Sequence, residues 1–129
     1  MTIRIAIKIL LGLLLAVVLF HLCILIKIIP YEITWGGRLE SDQEMYIFET
    51  ISILVNLFLG FVLLIKGGYI KDFFQHRVIN ILLWTFWGLF VLNTIGNTIA
   101  KTSFERLFAL LTFIFAVLIG IILKNKRQI

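Results

Sequence analysis

Four long apolar runs constrain the fold of this chain more than any other feature of its sequence. A membrane-spanning helix needs about 20 mostly apolar residues, and residues 5–29, 42–66, 78–100 and 104–123 each meet that requirement. A helix pairs its backbone N–H and C=O groups within the segment, as a lipid environment demands. The runs are too continuous for barrel strands, in which polar and apolar residues alternate. The sequence therefore predicts an all-α membrane protein, a four-transmembrane-helix bundle with one transmembrane domain over residues 1–129.

The composition agrees with lipid as the solvent for most of the chain. Of the 129 residues, 61% are hydrophobic and the mean hydropathy is +1.09, whereas a soluble domain averages about 45–50% apolar residues. The first run is longer than the apolar region of a secretory signal, and no small-residue cleavage motif follows it. We therefore interpret that run as a retained first helix.

Lysine and arginine are distributed unequally between the two sides that such a bundle would present. One side carries Arg4, Lys8, Lys66, Lys71, Arg77, Lys124, Lys126 and Arg127. The other side carries four basic residues together with most of the acidic ones. Because cytoplasmic loops are enriched in Lys and Arg, we predict an N-in/C-in orientation, with both termini in the cytoplasm. Trp84 and Trp87 lie near the basic side of the third helix, where aromatic belts occur.

Two helix starts and two helix ends carry local signals. Residues 41–44 (S-D-Q-E) and 102–105 (T-S-F-E) each place a hydroxyl three positions before a glutamate, which predicts a capping box. Gly67 and Gly68 follow the second run, and glycine adopts the left-handed conformation that ends many helices. Pro30 follows the first run and is expected to end that helix, since proline has no N–H to donate.

Ionisable and amide side chains inside the predicted spans are the candidate functional residues. A charge at the centre of a membrane helix costs about 2.5–3.5 kcal/mol on insertion scales, so each such residue requires an explanation. Glu49 and Asn56 share a face of the second helix, and Asn93 and Asn97 share a face of the third. His21 lies toward the outer end of the first helix. The predicted topology places Asn56 near the middle of the bilayer and the other four groups in its outer half. It predicts a polar pocket that opens to the outside.

The longest predicted external loop, residues 30–44, contains the sequence W-G-G-R, which ends at Arg38. Two glycines allow the loop to bend inward, and a guanidinium suits a carboxylate or another anion. We expect Arg38 to pair with Glu49 or to hydrogen-bond Asn97. The candidate ligand-binding or buried polar cluster comprises Arg38, Glu49, Asn56, Asn93, Asn97 and His21.

The residue inventory narrows the classes of function. Cys23 is a lone cysteine, which excludes an intramolecular disulfide and a C-x-x-C redox pair. His21 lies toward the outer end of the first span and His76 lies in the predicted cytoplasmic loop, so the two histidines cannot share a metal. We predict no metal, no cofactor and no catalytic residue with a recognised motif. The net charge of +5 is explained by membrane topology, and no nucleic-acid partner is expected.

Three strings resemble a pattern of small four-helix bacterial membrane proteins. They are W-G-G-R, S-D-Q-E-M-Y-I-F-E and L-N-T-I-G-N-T-I-A-K-T-S-F-E, within residues 31–105. The resemblance implies a multi-pass protein of a bacterial cytoplasmic membrane. It implies no activity and assigns no functional residue.

Three functions are compatible with these features. The first is binding or transport of a small solute or lipid in the polar pocket, in a homo-oligomer. The second is an accessory or structural subunit of a larger membrane complex, in which the polar residues only join helices. The third is a lipid-modifying enzyme that uses His21 and Glu49 as acid and base, and it is the least supported of the three. In each case, the lipid bilayer is the expected surrounding.

Overall fold

The structure is a computed structural model that describes residues 2–31, 40–99 and 103–124. Within those ranges the chain is all-helical, with α1 at Ile3–Leu25, α2 at Asp42–Lys66, α3 at His76–Thr98 and α4 at Ser103–Lys124. Each helix has 22 to 25 residues and is apolar enough to cross a membrane. At a rise of about 1.5 Å per residue, each is longer than the hydrocarbon core of about 30 Å. The predicted all-α fold with four candidate spans is confirmed for the described residues.

The start of α2 is capped largely as predicted. The Ser41 hydroxyl accepts a hydrogen bond from the Glu44 N–H at 3.2 Å. The Glu44 carboxylate accepts from the N–H of Glu40, at 3.1 Å, one residue before the position that a capping box predicts. At α1, the Thr2 hydroxyl caps the helix by accepting from the Ile5 N–H at 3.2 Å. Thr102, which belongs to the second predicted box, lies outside the described residues.

The first helix ends at Leu25, before the predicted Ile29, because Lys27 adopts a left-handed backbone conformation with φ of 67°. The Ile28 N–H donates to the Cys23 carbonyl at 2.8 Å, a hydrogen bond that closes a Schellman turn. The turn at Lys27 therefore ends α1 before the chain reaches Pro30, and the prediction that Pro30 ends this helix is wrong.

The second helix ends in the same kind of turn. Gly68 has φ of 76°, and the Tyr69 N–H donates to the Leu64 carbonyl at 3.0 Å. The predicted role of glycine at this helix end is confirmed.

The apolar core fills one half of the bundle, which we call the basic half. It contains the start of α1, the end of α2, the start of α3 and the end of α4. All four helices contribute fully buried side chains there, for example Ile7, Leu63, Leu83 and Ile119. The other half, the distal half, holds a separate small apolar cluster centred on Ile24 and Met45.

The helices pack in the order α2, α1, α4, α3, since α1 packs mainly on α2, α3 mainly on α4, and α1 joins the two pairs through α4. Among the described residues, two side-chain contacts between α2 and α3 lie in the basic half. Lys66 Nζ donates to Asn80 Oδ1 at 2.8 Å, and the rings of Phe58 and Phe86 are 6.3 Å apart. In the described part of the distal half, no hydrogen bond, ion pair or ring contact joins α2 to α3.

Candidate functional site

A histidine–glutamate pair joins α1 to α2 in the distal half. Nδ1 of His21 lies 2.8 Å from Oε1 of Glu49, and the side chains are 14% and 0% exposed, respectively. A buried carboxylate is stable only when other groups pair with it. The imidazole can donate a proton from Nδ1 or, when protonated, also carry the opposite charge. The structure therefore brings together two of the residues that the sequence singled out.

Two further contacts, between the pair and the helix ends, align the end of α1 with the start of α2. One turn nearer the helix ends, Ile24 and Met45 are fully buried together. Beyond them, the Lys27 ammonium forms an ion pair with the Asp42 carboxylate. The hydrogen bond and charge of Asp42 raise the pKa of Lys27 above its ordinary value. Toward the helix ends, the three contacts are thus a buried polar pair, then an apolar pair and then an exposed ion pair.

An aromatic cluster connects the same part of α1 to α4. Phe20 stacks on Phe104 with ring centroids 5.4 Å apart and contacts Phe108 at 5.0 Å. Its edge also meets the His21 ring at 5.6 Å. The orientation of His21 is thus fixed from the α4 side by packing and from the α2 side by Glu49.

Asn56 is placed on the predicted face of α2, but its side chain is satisfied within its own helix. Its amide donates to the Ser52 carbonyl at 2.7 Å. One turn further, a side chain added at Gly60 would meet Leu14 of α1 at 3.9 Å. The stripe that carries Glu49 and Asn56 therefore faces α1 and does not face α3.

Asn93 and Asn97 make no hydrogen bond to any described residue. Asn97 is half-buried, whereas Asn93 is exposed. Asn93 follows Phe86 by seven residues and so lies on the same face of α3, the face that meets α2 at Phe58. Seven residues before Phe58 on α2 lies Ile51, which is 52% exposed.

Residues two turns beyond the Phe58–Phe86 contact are thus exposed on both helices. We call this region, marked by Ile51 on α2 and Asn93 on α3, the open edge. In the distal half, the facing side chains of α2 and α3 therefore do not bury each other.

Two polar contacts were not predicted from the sequence. The hydroxyl oxygens of Thr94 and Thr112 are 2.9 Å apart and join α3 to α4. Lys66 is buried and bonds Asn80 between α2 and α3. Thr112 stands out in the sequence as the one polar residue in the middle of the fourth apolar run, but its partner depends on helix register.

Arg38, the remaining member of the predicted cluster, lies outside the described residues together with the W-G-G-R sequence.

The described side chains offer a hydrogen-bonded imidazole–carboxylate pair and two amides that can donate and accept hydrogen bonds. In the described ranges, no group of three His, Cys, Asp or Glu side chains is placed to hold a metal ion. No protein-family model, no curated protein and no solved structure matches the chain.

Proposed function

We propose that this chain is a multi-pass protein of a bacterial cytoplasmic membrane that binds a small solute or lipid headgroup at the open edge between α2 and α3, and transports it. The observation that carries the proposal is the exposed Asn93 amide, which has no partner among the described residues although it lies within a candidate membrane span. Asn97, one turn further along α3, adds a second amide that has no hydrogen-bonding partner among the described residues.

The depth of Asn93 makes a polar ligand the natural partner of its amide. Asn93 lies five residues inside the end of α3 at Thr98, about 7 Å along the helix axis. An amide in hydrocarbon without a hydrogen bond is unstable by several kcal/mol. Each asparagine side chain has one carbonyl acceptor and two N–H donors. The pair therefore suits a group that both donates and accepts, such as a hydroxylated headgroup or a polar solute.

The His21–Glu49 pair supports this site by holding the distal part of α2 on α1. Because one face of α2 is held on α1, the opposite face of α2 can line a pocket together with α3. We further propose that Arg38, which belongs to the predicted external loop, supplies a cation for an anionic ligand. This arrangement assumes the N-in/C-in orientation, which the basic residues at the described helix ends favour.

A second candidate function uses the same open edge to bind protein. Gly96 lies one turn from Asn93, and a side chain added there would meet nothing within 4 Å. Small residues beside an asparagine allow two membrane helices to approach and share hydrogen bonds. In that case the chain is an accessory subunit, and another helix covers α3 in a homo-oligomer or a larger complex. A lipid-modifying reaction is less well supported, because Glu49 is fully buried.

One substitution with a matched control tests the proposal. Asn93→Leu keeps the side-chain size and removes both hydrogen-bonding functions, while Thr85→Val makes the corresponding change in the basic half of the same helix. The Thr85 hydroxyl is already satisfied by the Ile81 carbonyl at 2.9 Å. The full chain is purified in mild detergent, and its co-purifying lipids and solutes are identified and quantified by mass spectrometry.

We expect Asn93→Leu to lose a bound species that the wild-type chain and Thr85→Val retain. Loss of an oligomer or of a co-purifying protein, with no change in bound small molecules, would instead support the accessory subunit. If Asn93→Leu changes neither, the open edge has no function in binding and the proposal is refuted.

A further inference from the structure

A groove runs along the surface where α3 packs on α4, and neither Ile51 nor Asn93 of the open edge lines it. Its volume is about 560 Å³ and its lining is mostly apolar. The residues that matter here are Trp87, Thr94, Phe113, Ala116, Gly120 and Lys124. Lys124 gives the groove a cation at the basic end of the bundle, whereas uncharged side chains such as Thr94 and Phe113 line the opposite end.

Small residues on α4 create the concave floor of the groove. Ala116 and Gly120 are four residues apart and so lie on one face of α4. The indole of Trp87 lies over Gly120, with its Nε1 3.5 Å from the position that a Cβ on Gly120 would occupy. The indole N–H finds no acceptor among the described residues, so the groove contains an unused donor near its charged end.

The length of the groove matches one leaflet of a bilayer. From Phe113 to Lys124, α4 rises by about 16 Å. This is close to half of the hydrocarbon thickness of about 30 Å. A lipid chain that begins at Lys124 would therefore reach the middle of the membrane at the far end of the groove.

We propose that this groove binds one acyl chain of an anionic phospholipid from the leaflet at the basic end. The lipid phosphate pairs with the Lys124 ammonium, whose flexible stem reaches the headgroup level. The Trp87 N–H donates to an ester oxygen of the same lipid. A phospholipid satisfies both polar groups, whereas the apolar face of another helix would leave the ammonium and the indole donor unpaired.

Native mass spectrometry of the full-length chain in detergent tests the proposal. The chain is titrated with dioleoyl phosphatidylglycerol and, separately, with dioleoyl phosphatidylcholine, which has the same chains and no net charge. We expect one tight phosphatidylglycerol site with an affinity about five-fold higher than that for phosphatidylcholine, as one nearby lysine contributes. Lys124→Gln should remove this preference, so that both lipids bind equally.

Filling the groove should abolish the site. Gly120→Leu places a branched side chain under the Trp87 indole, and we expect it to lose the tight site for both lipids. Gly12→Leu is the matched control, because Gly12 is an exposed helical glycine with nothing within 4 Å of an added Cβ. A Cβ added at Gly120 would lie only at ordinary contact distance from Trp87. Gly120→Ala should therefore fold, and it tests the proposal if the leucine variant does not fold. It should weaken lipid binding while the chain remains helical by circular dichroism.

Several results would overturn the proposal. Phosphatidylglycerol binding that is equal in the wild-type chain, Gly120→Ala and Gly120→Leu would place the lipid elsewhere. A dimer that Gly120→Leu dissociates, without a preference for either lipid, would show that a second copy occupies the groove. Asn93→Leu should leave the phosphatidylglycerol site intact, so failure of the open-edge proposal and failure of this one are distinguishable.

Discussion

Replacing both members of the His21–Glu49 pair with leucine should be tolerated far better than replacing either one. Glu49 is fully buried and the His21 side chain is 14% exposed, with 2.8 Å between Nδ1 and Oε1. His21→Leu leaves the buried carboxylate without its imidazole, and Glu49→Leu leaves the imidazole facing an apolar side chain. Removing one partner of a buried ion pair is destabilising by about 3–5 kcal/mol, whereas well-packed apolar replacements of both are often neutral or stabilising. We expect about 3 kcal/mol for His21→Leu and little net change for the double variant.

The free energy of unfolding is measured by reversible denaturation of the full chain in mixed detergent micelles, followed by circular dichroism. The chain provides its own control in the exposed pair of His76 and Asp72, in which Nε2 lies 3.9 Å from Oδ2 and both side chains are more than half exposed. The same leucine substitutions there should be additive within about 0.5 kcal/mol, because exposed pairs are screened by water.

Additivity at the buried pair is the result that would refute the reasoning. If the double variant at His21 and Glu49 is as unstable as the sum of the two single variants, the pair is not coupled. The packing of α1 on α2 would then be held by the apolar contacts and by the Lys27–Asp42 ion pair. A coupling of more than about 1 kcal/mol at both pairs would show that the assay does not distinguish buried from exposed contacts.

Three further predictions concern the membrane orientation, the Lys27–Asp42 ion pair and the partner of Arg38. Reporters that are active only outside the cell should be silent when fused at Ile129 and active when inserted in residues 30–44, and an active reporter at Ile129 would contradict the N-in/C-in orientation. Asp42 raises the pKa of Lys27, so the stabilisation from this ion pair should be complete below the ordinary lysine pKa of about 10.4 and disappear as the pH rises through the raised value. The difference in melting temperature between the wild-type chain and Lys27→Gln, measured from pH 8 upward, should therefore shrink only at strongly alkaline pH, and a constant difference would mean that the charge of Lys27 contributes nothing. Arg38→Gln and Glu49→Gln should be non-additive by about 0.5–3 kcal/mol in thermal stability if Arg38 reaches Glu49 or its hydrogen-bonding partners; additive effects would mean that the two do not meet.

The helices follow from the sequence because hydropathy and backbone hydrogen bonding act locally. The second helix occupies the predicted residues 42–66, and the glycine end at Gly68 has the expected positive φ. The end of α1 was harder to predict, because Lys27 takes a left-handed conformation that lysine rarely adopts.

The contacts of the candidate site depend on helix rotation and register, which nearly uniform apolar sequences do not reveal. The first helix is apolar on all sides, so its sequence gives no face for His21, and only packing on α2 brings that residue to Glu49. Asn56 shares the stripe of Glu49 as predicted, yet its amide binds the Ser52 carbonyl one turn away, because a local acceptor competes with distant partners. Lys66 ends the second apolar run as an apparent flanking charge, and its buried bond to Asn80 requires the α2–α3 turn.

The division of the bundle into an apolar basic half and a polar distal half has a consequence for binding. Lipid chains are as apolar as leucine, so burial of apolar side chains does little to hold membrane helices together, and specific contacts decide which helices separate. In the distal half, α1 is tied to α2 by His21–Glu49, and α3 is tied to α4 by the contact between Thr94 and Thr112. Among the described residues, no such contact ties α2 to α3 there. The α1–α2 and α3–α4 pairs are joined through the α1–α4 contact and the basic half, so separation of α2 from α3 in the distal half breaks no polar contact between described residues. That edge carries the Asn93 amide, which has no hydrogen-bonding partner among the described residues, so the edge with the fewest polar contacts between helices is also the one that offers an amide to the proposed polar ligand.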